Sequence, residues 1–184
     1  AISNGDVTGD GPFTHKVEKL IEKELGVKRA LLTTSCTHAL EMSAILLDIS
    51  SGDEVIVPSY TFVSSALAFF MHGAKIVFSD VRADTFNLDE NNLEGLVTKN
   101  TKAIVLVHYA GIACEMDAIM EIASRHNLIV IEDNAHGLYG KYKGRYLGTI
   151  GHMATQSFHG TKNFTSGEGG ALLINDPVYV ERAE

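Results

Sequence analysis

Residues 157–170, SFHGTKNFTSGEGG, hold one lysine, Lys162, between Thr161 and Asn163, with glycines at 160, 167, 169 and 170. The stretch is too polar for a core strand and too rich in glycine for a helix, so it reads as a loop around one amine. A lysine held among apolar and neutral groups presents a free amine that can attack a carbonyl. Two other places could work with it. LIVIED runs into Asp133 after the most apolar stretch of the chain. A carboxylate is costly to bury there unless something positive pairs with it. Asp133 is therefore either a cap or salt bridge, or the partner of a protonated ring nitrogen. TTSCTHAL places Thr34, Ser35 and Thr37 where an apolar run gives way to a helical pattern. Free N–H groups and hydroxyls at the positive end of a helix dipole hold a phosphate. The same residues serve equally as plain N-caps.

The elements that must position these residues alternate along the chain. Phe13, Val17, Leu20, Ile21 and Leu25 recur at helical spacing, and Gly26 follows as a stop. Short runs rich in β-branched residues then appear at RALLT, EVIVP, KIVFSD, AIVLVH, LIVIED, ATQSF and ALLIN. Being apolar at nearly every position, they suit strands covered on both faces. Between them lie the helical stretches THALEMSAILLDI, TFVSSALAFFMHG, DENNLEGLVT and EMDAIMEIASRHN. The expectation is one three-layer α/β/α domain over residues 1–184, with about seven mostly parallel strands. No long helix separates the last two strands, so one of them is expected to run antiparallel. Ligands of such sheets bind beyond the carboxyl ends of the strands. Those ends carry Thr34-Ser35-Cys36, Pro58-Ser59-Tyr60, Asp80, His108-Tyr109, Glu132-Asp133 and Ser157-Phe158-His159.

Neither GxGxxG after the first strand nor GxxxxGK[ST] occurs, so dinucleotide and P-loop binding lack support. An anion-binding turn, a buried acid and a loop lysine, in that order, meet the needs of pyridoxal 5'-phosphate (PLP). The phosphate goes to the helix start, the pyridinium nitrogen to the carboxylate and the aldehyde to the lysine.

Bulk properties bound the alternatives. With 45% hydrophobic and 21% charged residues the chain is globular, not disordered. A net charge of -8 argues against nucleic acid or a membrane surface as partner. No apolar run approaches the roughly 20 residues a membrane-spanning helix needs, and the opening AISNGDVTGDGP does not resemble a secretory signal. Cys36 and Cys114 form no CxxC pair, which suits the reduced cytoplasm better than a disulfide framework. The eight histidines show no metal-ligand spacing, so scattered hydrogen-bonding histidines are favoured over a metal site. The first residue is alanine and the last stretch, DPVYVERAE, reads as a helix just begun, so a piece of a longer protein is expected.

VHYAGIACEMD, IEDNAHG and SFHGTKNFTSGEGG, with GDGPFTHKVEKLIEKELG, GDEVIVPSY and PSYTFVSSALAF, closely resemble the DegT-type sugar aminotransferases of fold type I. That resemblance implies roles residue by residue. Lys162 matches the lysine that binds the cofactor aldehyde covalently and later moves protons. Asp133 matches the partner of the ring nitrogen, and Ser157 a phosphate ligand. Ser35 and Cys36 match backbone amides closing over the phosphate, and Phe62 the aromatic ring stacked on the cofactor. His136 matches a position either beside the ring's phenolic oxygen or packed beneath the ring. His159 and Tyr109 are expected near the pocket, without assigned roles. The resemblance also implies a nucleotide-sugar substrate, L-glutamate as amino donor and a homodimer with shared active sites. Its nearest branch acts on the C4 ketone of dTDP-4-dehydro-6-deoxyglucose for cell-surface polysaccharides. Relatives are roughly twice as long, with a smaller C-terminal domain, and some dehydratases in the family carry histidine where Lys162 stands.

Overall fold

A computed structural model describes Ser3, Gly5 and residues 9–184. Half of the polar opening read as lacking a secretory signal lies outside these residues. Helix α1, Pro12–Leu25, begins at a proline whose fixed φ suits a first turn, and Gly26 closes it with φ 77°. Its acidic side clasps the first strand, β1 (Arg29–Thr33), where the Arg29 guanidinium meets Glu22 at 2.8 Å and Glu18 at 3.2 Å.

The chain then alternates as read from its pattern: α2 (Cys36–Leu46), β2 (Glu54–Pro58), α3 (Ser64–Phe70), β3 (Lys75–Ser79), α4 (Glu90–Leu96), β4 (Thr101–Val107), α5 (Met116–His126) and β5 (Ile129–Asp133). A two-residue hairpin follows, β6 (Lys141–Tyr142) and β7 (Arg145–Tyr146), which the periodicity did not announce. Strands β8 (Met153–Ser157) and β9 (Gly170–Ile174) precede a 3-10 turn, Pro177–Tyr179, and α6 (Val180–Ala183). TFVSSALAFFMHG becomes a helix only from Ser64; Thr61 and Phe62 stay in the turn ahead of it.

Seven strands form one sheet in the order β1-β9-β8-β5-β4-β2-β3. Only β9 runs against its neighbours, as the missing crossover helix between β8 and β9 requires. Val55, Val57, Val105 and Ile131 face α2 and α3, while Ile56, Ile104, Leu106 and Val130 face α4 and α5. Alternate residues of one strand thus feed opposite cores, which is why the runs are apolar throughout. The central strands β4, β5 and β8 are buried nearly end to end, so their carboxyl ends stand on a rigid base.

Candidate active site

A cavity of about 440 Å³ opens at the carboxyl ends of β1, β5 and β8. Ser35, Cys36, Phe62, Asp133, His136, Ser157 and Lys162 all border it, as do Tyr109 and His159. Residues up to 127 positions apart in the chain are thereby brought to one space.

Its first wall is the start of α2. Ser35 is the N-cap, with extended backbone, and its Oγ accepts from the His38 N–H at 3.2 Å. The capping reading of this turn therefore holds. The N–H groups of Cys36 and Thr37 find no acceptor among the described residues, so the helix start also keeps two donors for an anion. The hydroxyls are committed elsewhere: Thr34 pairs with His38, and Thr37 Oγ1 lies 2.7 Å from Ser64 Oγ. Gly170, at the start of β9, explains how the turn fits there. A Cβ at that position would stand 2.4 Å from both Cys36 N and the Ser35 carbonyl carbon. Glycine alone lets β9 pass so close behind the helix start.

Asp133 forms the floor. It is buried at the end of β5, and Oδ2 accepts from Ser65 Oγ at 2.7 Å while Oδ1 accepts from the Ala135 N–H at 3.2 Å. No cation pairs with it, so the capping and salt-bridge readings leave its charge unbalanced among the described residues. Such an acid suits a positive atom arriving from the cavity. Cys36 Sγ lies 3.3 Å from Thr155 Oγ1 and 3.9 Å from Asp133 Oδ1. Burial first, and then the Asp133 charge, push this thiol well up, so it stays protonated and donates. Cys36 and Cys114 are both free.

The third wall carries the amine. Lys162 follows β8 on a loop held by its own backbone: the Lys162 N–H donates to His159 O at 3.0 Å. His159 Nδ1 lies 2.9 Å from Thr161 Oγ1, and its Nε2 lies 3.5 Å from Glu168, so this histidine ties the two limbs of the loop. Asn163 donates to Leu138 O at 3.1 Å, anchoring the far side of the lysine. Ser157 is buried at the strand end, and its Oγ receives the His159 N–H at 3.4 Å.

Two rings complete the rim. Phe62 is 74% exposed and borders the cavity. His136 Nδ1 accepts from the Ala110 N–H at 3.2 Å, which leaves its other ring nitrogen to carry the proton. Burial, then the nearby Lys162 charge, hold His136 below its ordinary value of 6.5, so the ring is neutral.

Sequence reasoning missed Ser65 and Thr155, which orient Asp133 and Cys36. A small hydroxyl on the buried side of an otherwise apolar helix was the available signal for Ser65. It also missed the layer behind the floor. Glu132 is fully buried and accepts from His108 Nε2 at 2.8 Å and from the N–H groups of Gly148 (2.7 Å), Ile150 (2.7 Å) and Gly151 (2.5 Å). Glu132 and Asp133 therefore point to opposite faces of β5, one fastening the 148–151 loop and the other facing the cavity.

Two free helix-start donors, an unpaired acid and a loop amine around one cavity fit PLP in charge and in donor type. Comparison with known proteins agrees. The model of the DegT/DnrJ/EryC1/StrS aminotransferase family matches residues 1–184. The chain belongs to that family. Among its members, GDP-perosamine synthase of Caulobacter vibrioides is 44% identical over 170 residues, covering 92% of this chain and 46% of that protein. The aminotransferase of Psychrobacter cryohalolentis superposes with a TM-score of 0.92 at 39% identity, over 99% of this chain and 46% of the other. The PLP form of Spr1654 from Streptococcus pneumoniae gives 0.88 at 31% identity, over 98% and 51%. The chain thus spans about half the length of the relatives it matches.

Proposed function

We propose that this chain is the cofactor-binding part of a PLP-dependent aminotransferase acting on keto-sugar nucleotides. The observation that carries the reading is the single cavity bordered by Lys162, Asp133 and the free N–H groups of the α2 start. Ser35, Cys36 and Ser157 would hold the phosphate, and Asp133 the ring nitrogen. Phe62 would cover one face of the ring, with His136 beside it and Lys162 at the aldehyde. When bound, the cofactor supplies an electrophilic aldehyde and a ring that accepts electrons.

The protein's own residues supply the rest. Asp133, fixed by Ser65 and the Ala135 N–H, would hold a proton on the cofactor's ring nitrogen. Lys162 would hold the cofactor and, with its amine free, would carry a proton to and from the amino donor's α-carbon as general acid and base. A histidine at position 162 would favour the dehydratase chemistry of some relatives; lysine favours transfer.

In finer detail the donor is L-glutamate and the acceptor the C4 ketone of dTDP-4-dehydro-6-deoxyglucose, in cell-surface polysaccharide synthesis, by a cytoplasmic homodimer. VHYAGIACEMD, residues 107–117, supports that acceptor by resemblance. The 44% identity to a GDP-perosamine synthase supports a second reading, a GDP-linked keto sugar. No described helix is long and apolar enough to cross a membrane.

The test incubates the full-length protein, PLP and glutamate with dTDP-, UDP- and GDP-linked keto sugars and detects the aminated product by mass. Product with a dTDP sugar supports the first acceptor, and product with a GDP sugar the second. Conversion of glutamate to 2-oxoglutarate with none of them aminated would remove the sugar reading. Cofactor bound without any such conversion would make the protein a non-catalytic PLP binder.

A further inference from the structure

Beyond Tyr109, which borders the cavity, two more rings continue outward. Tyr109 and Tyr60 have centroids 5.2 Å apart, Tyr60 and Phe86 5.5 Å, and Phe86 and Tyr109 6.0 Å, all tilted or edge-on. On its inner side Tyr109 meets the His136 ring at 5.7 Å. The trio is therefore continuous with the candidate active site, yet Tyr60 and Phe86 remain 49% and 50% exposed.

The backbone that presents these rings is strained. Phe86 has φ 60° and Ala110, next to Tyr109, has φ 52°. A bulky aromatic residue in the left-handed region is an outlier that persists only where its surroundings hold it. Here they do. Phe86 N–H donates to Arg82 O at 2.9 Å, and Arg82 N–H to Asn87 O at 2.8 Å. Buried Asn87 fastens this loop to the next one, accepting from the Tyr109 N–H at 2.9 Å and donating to Ile112 O at 3.0 Å. One side chain thus locks two strained turns so that Phe86 and Tyr109 meet. Neither burial nor regular structure accounts for holding half-exposed rings in this way.

The chemistry of the trio selects its ligand. Arg82, the cation of the same loop, is already engaged by Asp84 at 2.9 Å and Glu90 at 2.9 Å. The surface therefore offers π faces and a paired tyrosine hydroxyl, with no unpaired cation on the Arg82–Asn87 loop, and suits a flat, uncharged heterocycle over a phosphate. We propose that Tyr60, Phe86 and Tyr109 form a stacking platform for the nucleobase of the substrate, at the outer end of a site whose inner end is the cavity. This rests on the nucleotide-sugar reading above.

Phe86→Gly tests it in the full-length, cofactor-loaded protein, because glycine suits φ 60° while removing the side chain with its ring. The expected result is an unlowered thermal midpoint together with roughly tenfold weaker calorimetric binding of dTDP, UDP or GDP. Phe86→Tyr, which keeps a ring, restores the binding. In turnover the loss falls on KM for the keto-sugar nucleotide, not on kcat. Equal nucleoside-diphosphate binding by the Phe86→Gly and unsubstituted proteins overturns the platform. A changed sedimentation coefficient with that binding intact also overturns it, since the rings would then be a contact between copies. Conversion of glutamate by the unsubstituted protein is scored separately, so failure of the proposed reaction is distinguishable from failure of the platform.

Discussion

Ser65 donates its hydroxyl to Asp133 at 2.7 Å, from the first turn of α3 to the end of β5, with both side chains buried. A hydrogen bond to a charged acceptor contributes about 1.5–3 kcal/mol. It holds Oδ2 while the Ala135 N–H holds Oδ1, so the orientation of the carboxylate is fixed. Ser65→Ala should therefore lower kcat roughly tenfold through a mis-set Asp133, at a stability cost of about 1–2 kcal/mol. Steady-state kinetics beside thermal unfolding will separate the two effects. A stability loss with full kcat would reduce Ser65 to a packing role.

Lys162→Ala should keep the fold, since the lysine loop is held by backbone and by His159 and Asn163. Catalysis should fall by at least ~10²–10⁴-fold, the usual share of a general acid–base group. The covalently held cofactor's visible absorption should vanish as well. Absorption spectra with added PLP, followed by a glutamate chase, provide the measurement. An undiminished transfer rate would remove Lys162 from the mechanism.

Gly170→Ala introduces a methyl group 2.4 Å from two backbone atoms of the Ser35–Cys36 turn. Backbone cannot yield as a side-chain tip does, so β9 must move away from the helix start. A loss of at least about 1–3 kcal/mol is expected, together with weaker PLP retention on dialysis. Unchanged retention would mean that the turn does not bind the phosphate.

Burial alone would raise the Glu132 carboxyl, but the His108 hydrogen bond and charge, with the Gly151 and Gly148 N–H groups, hold it below its ordinary 4.5. A depressed acid contributes stability that is complete above the unfolded value and is lost as pH falls through the folded one. Glu132→Gln should thus destabilise the protein at neutral pH by about 1–3 kcal/mol. It should also flatten the fall in stability below pH 4.5. Urea unfolding at several pH values checks both.

For His136 the sign is the reverse of a paired histidine. Its folded value lies below 6.5, so the unfolded chain takes up the proton more readily. The neutral ring's contribution is complete above that pH and declines as pH falls below it. Ring-proton NMR should show a titration midpoint under 6.5, moving upward when the Lys162 charge is removed in Lys162→Ala.

What the sequence determined by itself was the order and type of the seven main-sheet strands and the longer helices, though not the small β6–β7 hairpin. Strands apolar at every position must be covered on both faces, and a missing crossover helix forces β9 to run antiparallel. Local chemistry likewise marked Lys162 and Asp133, because a loop amine and an acid ending an apolar strand are unusual in their immediate surroundings, and Ser35, because a helix start offers free N–H groups. Only the tertiary structure decided who meets whom. Ser65 and Thr155 look like ordinary small residues until packing sets them 2.7 Å from Asp133 and 3.3 Å from Cys36. Gly170 looks like a loop glycine until β9 passes behind the α2 start, and Phe86 is one more aromatic until Asn87 locks it beside Tyr109. The physical reason is range: hydrophobic periodicity and capping act over a few neighbouring residues and are written in the local pattern. Distances between side chains a hundred positions apart depend on how whole layers of the sheet and helices pack.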